Sequence, residues 1–287
     1  MRHRPRLMAG QLAAALALTS LSIPGPLFAA PIEFVVMTRT EFLTQTGDGN
    51  SVSSSLFRLD AVLNETPPDQ SFTSASLTLP DGTTTHGLSP LNATTWVFSA
   101  PFGTLAAMDS AFPTGTYTYS TTNPAASTTL AYAANAYPPA PFLTGTDFST
   151  LQGLDPSDPF TFHFSAFPTD PALTEQLIFF SVVDEATNAT VANGAFLDET
   201  TSTFFLAPNT LLPNHAYVYE LLYSNRIFGA ANGDASFGPG LAFERRTSAR
   251  FVTGDIVASV PEPGTLCLLL IGLAGIWRFG GRAARRS

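Results

Sequence analysis

The stretch that decides the fold is Leu211-Leu212-Pro213-Asn214-His215-Ala216-Tyr217-Val218-Tyr219. Its Pro-x-x-x-Tyr-x-Tyr spacing recurs at Pro113-Thr114-Gly115-Thr116-Tyr117-Thr118-Tyr119. In each copy a proline interrupts the preceding segment, and two tyrosines then alternate with a β-branched residue. A period of two puts both rings on one face of a strand, and Val218 to Tyr223 continues that strand in the second copy. Outward from these copies the same period returns. Phe160, Phe162 and Phe164 alternate with Thr161, His163 and Ser165, while Phe57, Leu59, Ala61 and Leu63 alternate with Arg58, Asp60 and Val62. Leu177 to Val183 is nearly all apolar, as in a central strand covered on both faces. Turn sequences separate the runs: Gly47-Asp48-Gly49-Asn50, Pro80-Asp81-Gly82, Pro113-Thr114-Gly115 and Asn193-Gly194. Gly103 to Ala111 alone has the look of a short helix.

The placement of Leu211, Pro213 and Tyr217 resembles the tyrosine corner of immunoglobulin-like and fibronectin type III sandwiches. In those folds the tyrosine hydroxyl bonds back to the chain at the corner before a strand. In the first copy the likeness covers Phe112 to Tyr119. Tyr137-Pro138-Pro139-Ala140-Pro141 has the composition of a stiff linker. It divides the chain into units of about one hundred residues, the size of one sandwich. The expected fold class is all-β, with two tandem Ig-like or fibronectin-like β-sandwiches at 31–136 and 142–256 around a linker at 137–141. A single larger sandwich or jelly roll is the competing architecture.

The two ends read as addresses. Residues 1–30 have a positive start (Arg2, Arg4, Arg6), an Ala/Leu-rich run from Leu7 to Leu21, a Pro24-Gly25-Pro26 break and the small pair Ala29-Ala30. That is the plan of a secretory signal peptide. At the other end, within residues 257–287, Val260-Pro261-Glu262-Pro263 precedes an apolar stretch carrying Leu266, Leu268, Leu269, Leu270, Ile271, Leu273, Ile276 and Trp277. Arg278, Arg282, Arg285 and Arg286 follow as a cationic stop. Pro261 and Pro263 prevent a helix from extending backward. The uncharged span is roughly 22 Å long as a helix, against about 30 Å of bilayer core, so Arg278 would snorkel and the bilayer thin. Arginine-rich flanks stay cytoplasmic, which sets the orientation of this transmembrane anchor. A buried core helix is the competing reading.

This tripartite end resembles the PEP-CTERM sorting signal, over about the last 28 residues. The resemblance implies a Gram-negative bacterium that makes exopolysaccharide. It also implies processing by an exosortase, a membrane-embedded transpeptidase-like enzyme. Val260, Pro261, Glu262 and Pro263 would be the recognition motif and the apolar helix a transient anchor. The implied partners are the secretion machinery, the inner membrane, an exosortase and exopolysaccharide. The final location would be the cell surface or extracellular matrix.

Composition narrows the chemistry. The chain has 287 residues, 22 acids, 13 basic residues and one cysteine, with a formal charge of −9. All the basic residues are arginine, so lysine-dependent catalysis is excluded. One cysteine excludes a disulfide framework and a cysteine-based zinc site, and the negative charge argues against nucleic-acid binding. The charge is also unevenly placed. Residues 31–259 hold 21 acids and 6 arginines, a formal −15. Seven of the arginines therefore belong to the two addresses.

No catalytic, metal or cofactor motif stands out between the addresses. His86, His163 and His215 lack metal-ligand spacing. Asp155 and Asp158, Asp184 and Glu185, and Asp198 and Glu199 read as turn residues, with weak calcium binding or glycoside chemistry as the sharper alternatives. Arg245, Arg246 and Arg250 read as a strand face paired with acids, or else as a contact for an anionic polysaccharide. Trp96 reads as core, although an exposed ring would mark a sugar-binding module. The expectation is a non-enzymatic, cofactor-free surface or matrix protein with a structural or adhesive role. A carbohydrate-binding module and a secreted hydrolase are the alternatives.

Overall fold

A computed structural model describes residues 31–65 and 72–255. Before the proline-rich stretch lie β1 (Ile32–Gln45), β2 (Val52–Glu65), β3 (Ser74–Thr78), β4 (Thr85–Pro90), β5 (Thr95–Phe102), helix α1 (Leu105–Ala111), β6 (Gly115–Thr122) and β7 (Ala126–Tyr132). After it lie α2 (Asp147–Leu151), β8 (Phe160–His163), β9 (Glu175–Asp184), β10 (Thr190–Asp198), β11 (Thr203–Leu206), β12 (Ala216–Phe228) and β13 (Gly240–Val252). The all-β class follows directly. Both Pro-x-x-x-Tyr-x-Tyr copies lead into strands, β6 and β12. The short helix forms where its composition places it, capped by the Thr104 hydroxyl accepting the Ala107 N–H at 3.1 Å.

Eleven strands share one ladder, in the order β10-β9-β12-β13-β1-β2-β5-β4-β3-β6-β7, and β8 pairs with β11 apart from it. The ladder turns a corner at β4 and β5, which share just two register pairs, Ser89↔Val97 and Pro90↔Trp96. Beyond that corner β4, β3, β6 and β7 form a layer over β1, β2 and β5. Met37, Leu59, Leu63, Leu77, Tyr117 and Leu130 meet between the layers in the first core. In the second core Phe160, Phe162 and Phe164 meet Ile178, Phe180 and Val182 from β9 and Tyr217, Tyr219 and Tyr223 from β12. Each such ring or aliphatic chain contributes about 1.5–3 kcal/mol by leaving water. The open edge of β7 is covered by the loop before β13. Asp234 Oδ2 accepts the Ser127 N–H at 2.8 Å, and Asn232 Oδ1 accepts the Thr129 N–H at 2.9 Å.

Three long strands serve both cores. On the odd-numbered face of β13, Leu241 and Phe243 enter the first core, while Ala249 and Phe251 enter the second. β12 runs the other way, with Tyr217 to Tyr223 in the second core and Ile227 against the first. β1 places Val35 and Met37 in the first core and ends at buried Gln45, which bonds into the second. β1 and β13 are parallel, joined by nine register pairs from Val36↔Gly240 to Thr44↔Ser248.

Between the two cores these strands switch to polar side chains, and residues 136–141 lie against them. Asn225 Nδ2 donates to the Ala136 carbonyl at 2.8 Å, Arg245 Nη1 to that of Pro138 at 2.9 Å, and the Thr247 hydroxyl to that of Pro141 at 2.5 Å. Prolines lack an N–H, so their carbonyls are the backbone groups such a segment offers. The stretch read as a linker is therefore docked along its length onto β12 and β13.

Asn193-Gly194 departs from its reading as a turn. It lies inside β10, where the register with β9 shifts between Gly194 and Leu197. Packing explains the glycine, since a Cβ at 194 would sit 2.9 Å from the Phe204 ring.

Candidate functional site

Both repeat tyrosines bond back to their corners, through opposite chemistry. The Tyr217 hydroxyl accepts the Leu212 N–H at 2.8 Å, with neighbouring Leu211 buried in the second core and Pro213 exposed. The Tyr117 hydroxyl donates to the Pro113 carbonyl at 2.6 Å. The second tyrosine of each copy reaches across to β1. Tyr119 donates to the Val36 carbonyl at 3.2 Å and Tyr219 to Gln45 Oε1 at 2.6 Å. Burial pushes the Tyr117, Tyr119 and Tyr219 hydroxyls above their ordinary range, so they remain protonated donors. The sorting motif, the anchor and the arginine stop lie outside the described residues, as does the signal segment. Among the described residues no helix is long and apolar enough to cross a membrane.

The titratable residues singled out by sequence are dispersed. His163 Nδ1 lies 3.0 Å from Asp147 Oδ2, and His215 Nε2 lies 2.8 Å from Asp184 Oδ2. Asp184 also accepts the N–H groups of Thr187 and Ala186, and these bonds, that of Thr187 foremost, hold its carboxyl below the usual range. Asp198 closes a similar turn on Thr200, and Asp155 one on Ser157. Among the described residues no three His, Cys, Asp or Glu side chains gather as a metal site would require. All six arginines of residues 31–259 are ion-paired: Arg39 with Asp109, Arg58 with Asp60, Arg226 with Glu175, Arg245 with Glu41, Arg246 with Glu220, and Arg250 with Glu185. The 245–250 patch is thus spent on acids of the protein itself. Trp96 is half-buried, and its indole N–H donates to buried Glu65 at 2.6 Å. Six of the seven tyrosines are buried and Tyr137 is half-buried. Neither Trp96 nor a tyrosine forms an exposed platform.

A cleft opens instead at the corner of the first sandwich. Before Ser89, β4 pairs with β3 and not with β5, so β4 and β5 part. The gap has a volume of about 470 Å³, and the end of α1 closes it from one side. Alternation along β5 brings Phe98 and Phe102 to this gap, β4 brings His86, and the residue after α1 is Phe112. The His86 ring lies 4.7 Å from that of Phe98 and 5.3 Å from that of Phe112, and Phe102 meets Phe112 edge-on at 6.0 Å. Asp81, Thr84 and Ser110 add polar groups to the lining. The Thr84 hydroxyl and the N–H groups of Thr84 and Thr83 all donate to Asp81 and lower its pKa to about 2. Sequence reasoning searched for Trp and Tyr and passed over this set. The available signal was Phe98-x-Ala100-x-Phe102 on one strand face, facing the Phe112 that opens the first repeat.

Residues 259–286 match the PEP-CTERM protein-sorting motif. The chain therefore carries that motif, which implies exosortase-dependent export toward the cell surface. No curated protein matches the chain. Among solved structures, trypsin-activated alpha-2-macroglobulin from Escherichia coli matches with 14% identity and a TM-score of 0.25, over 79% of this chain and 16% of that one. The chicken CNTN1 FN1-FN3 domains match with 10% identity and a TM-score of 0.27, over 79% of this chain and 69% of that one.

Proposed function

We propose that this is a non-enzymatic protein of the bacterial surface or extracellular matrix, delivered by an exosortase, whose fused β-sandwiches act as a structural or adhesive body. The observation that carries the reading is the sorting motif at 259–286. It lies seven residues past Val252, the end of β13, in the middle of the eleven-strand ladder. A membrane tether there would pull on one of the three strands that both cores share, which suits a load-bearing role. Support also comes from Asp155, Asp184 and Asp198, which close their own turns, and from His163 and His215, which pair with Asp147 and Asp184. A sugar-binding module is the second reading, favoured by the aromatic cleft.

Intact-mass analysis of the surface fraction tests the proposal. The expected product has lost the segment after the Pro-Glu-Pro motif. A mature product that retains residues 264–287 would sink the sorting step. Replacing Glu262 with alanine should leave the uncut chain in the inner membrane.

A further inference from the structure

We propose that the cleft between β4, β5 and the end of α1 holds one ring of a neutral saccharide. This rests on the adhesive reading above and gives it a ligand class. The half-buried rings of His86, Phe98 and Phe102 line the cleft over buried Phe112, and rings of this kind pack against the C–H face of a sugar. The ring centroids are 4.7–6.0 Å apart, so the rings fill the space between one another. They leave no gap for a cation between facing rings, and the surface they offer suits an apolar face laid on top.

The rim supplies what the equatorial edge of a sugar needs. The Thr84 and Ser110 hydroxyls can donate or accept, and the Asp81 carboxylate accepts. Asp81 receives three hydrogen bonds from Thr83 and Thr84, which fix its oxygens before a ligand arrives. Of the roughly four lone-pair sites on a carboxylate, one remains for a ligand hydroxyl. Charge selects for neutrality. The Asp81 carboxylate of the lining is negative, every arginine of residues 31–259 is paired elsewhere, and those residues carry a formal −15. An acidic sugar would meet repulsion here and no arginine to offset it. The volume of about 470 Å³ falls within the range of small-ligand sites and opens to solvent, as binding to part of a longer chain requires.

Affinity electrophoresis of the full chain in detergent tests this, in gels containing dextran, laminarin, hydroxyethylcellulose or, as the charged arm, alginate. The expected result is retardation in at least one neutral gel and none in alginate. Phe102→Ala and His86→Ala should each weaken that retardation about fivefold, from the loss of one ring contact. Ser110→Ala, at an exposed position outside the core, should weaken it about twofold with an unchanged circular dichroism spectrum. Retardation in no neutral gel, in alginate alone, or to the same extent in all three variants would overturn the assignment. Surface delivery of the same variants is scored separately. A chain that reaches the surface without binding any glucan defeats this inference alone, whereas a chain that never reaches the surface defeats the reading beneath it.

Discussion

The Tyr219 hydroxyl donates to Oε1 of Gln45 at 2.6 Å, and this bond ties the end of the first strand to the core of the second sandwich. The same oxygen accepts the Leu143 N–H at 2.9 Å, and Gln45 Nε2 donates to the Leu143 carbonyl at 3.1 Å. Gln45 and Tyr219 are both buried. Gln45→Ala would leave a buried hydroxyl and a buried N–H without partners, at about 1–3 kcal/mol each. Tyr219→Phe removes one donor and leaves Gln45 its other bonds, so it should cost about 1 kcal/mol. Urea midpoints of the two variants and of the double variant check this. The double variant should lose less than the sum of the two single losses.

The two corner tyrosines make a matched test of the repeat. Tyr217→Phe strands the Leu212 N–H, and Tyr117→Phe strands the Pro113 carbonyl. Each should lower stability by about 1 kcal/mol while the strands stay formed. Far-UV circular dichroism at low denaturant should match wild type. A variant that loses strand signal there would show that the corner specifies the fold as well as stabilising it.

What could be read in advance was local. The Pro-x-x-x-Tyr-x-Tyr copies, the alternating Phe160-Phe162-Phe164 run and the helix ahead of Phe112 are set by periods and caps within a few residues. The joining of the sandwiches was hidden for a physical reason. Parallel pairing of β1 with β13 links Thr40 to Glu244 across nearly the whole described chain, and no local pattern encodes such a partner. The polar break in each long strand, such as Asn225 between Tyr223 and Ile227, carries no local mark that sets it apart from an exposed position. Its role shows once the carbonyls of 136–141 are seen beside it. Prolines in that stretch point to a linker and conceal docking, because their acceptors leave no mark in composition. The cleft was passed over because its rings come from three separate elements.

Shared strands predict shared unfolding. A chain ending at residue 136 would lose Leu241, Phe243 and the packing of Ile227 from its core, and would expose the edge of β1 that β13 covers. An open edge of that length invites association. The isolated 31–136 segment should therefore be aggregated or poorly structured, while residues 31–259 unfold in one transition. Differential scanning calorimetry gives the answer. Two separate transitions in the longer chain, or a sharp native spectrum from the short one, would show that the sandwiches are autonomous.

Acid and neutral pH should pull stability in opposite directions at two carboxyls. Hydrogen bonds from its own turn, the Thr84 hydroxyl first, lower Asp81 from 3.8 to about 2. Its folded form stays ionised where the unfolded chain already binds a proton. The turn's contribution is thus complete above about pH 4 and is lost as pH falls toward 2. Glu244 is the reverse case. Desolvation raises its pKa above 4.5, outweighing Arg246 and the Thr40 hydroxyl, which bonds it at 3.1 Å. In the window above 4.5 the folded chain holds more protons than the unfolded one, so stability falls as pH rises through that window. Glu244→Gln keeps an acceptor for Thr40 and removes the charge. Its urea midpoint should exceed that of wild type at pH 7, and the gain should shrink by pH 4. A midpoint below wild type by the same margin at both pH values would mean that attraction to Arg246 outweighs desolvation, and the assigned cause would be wrong.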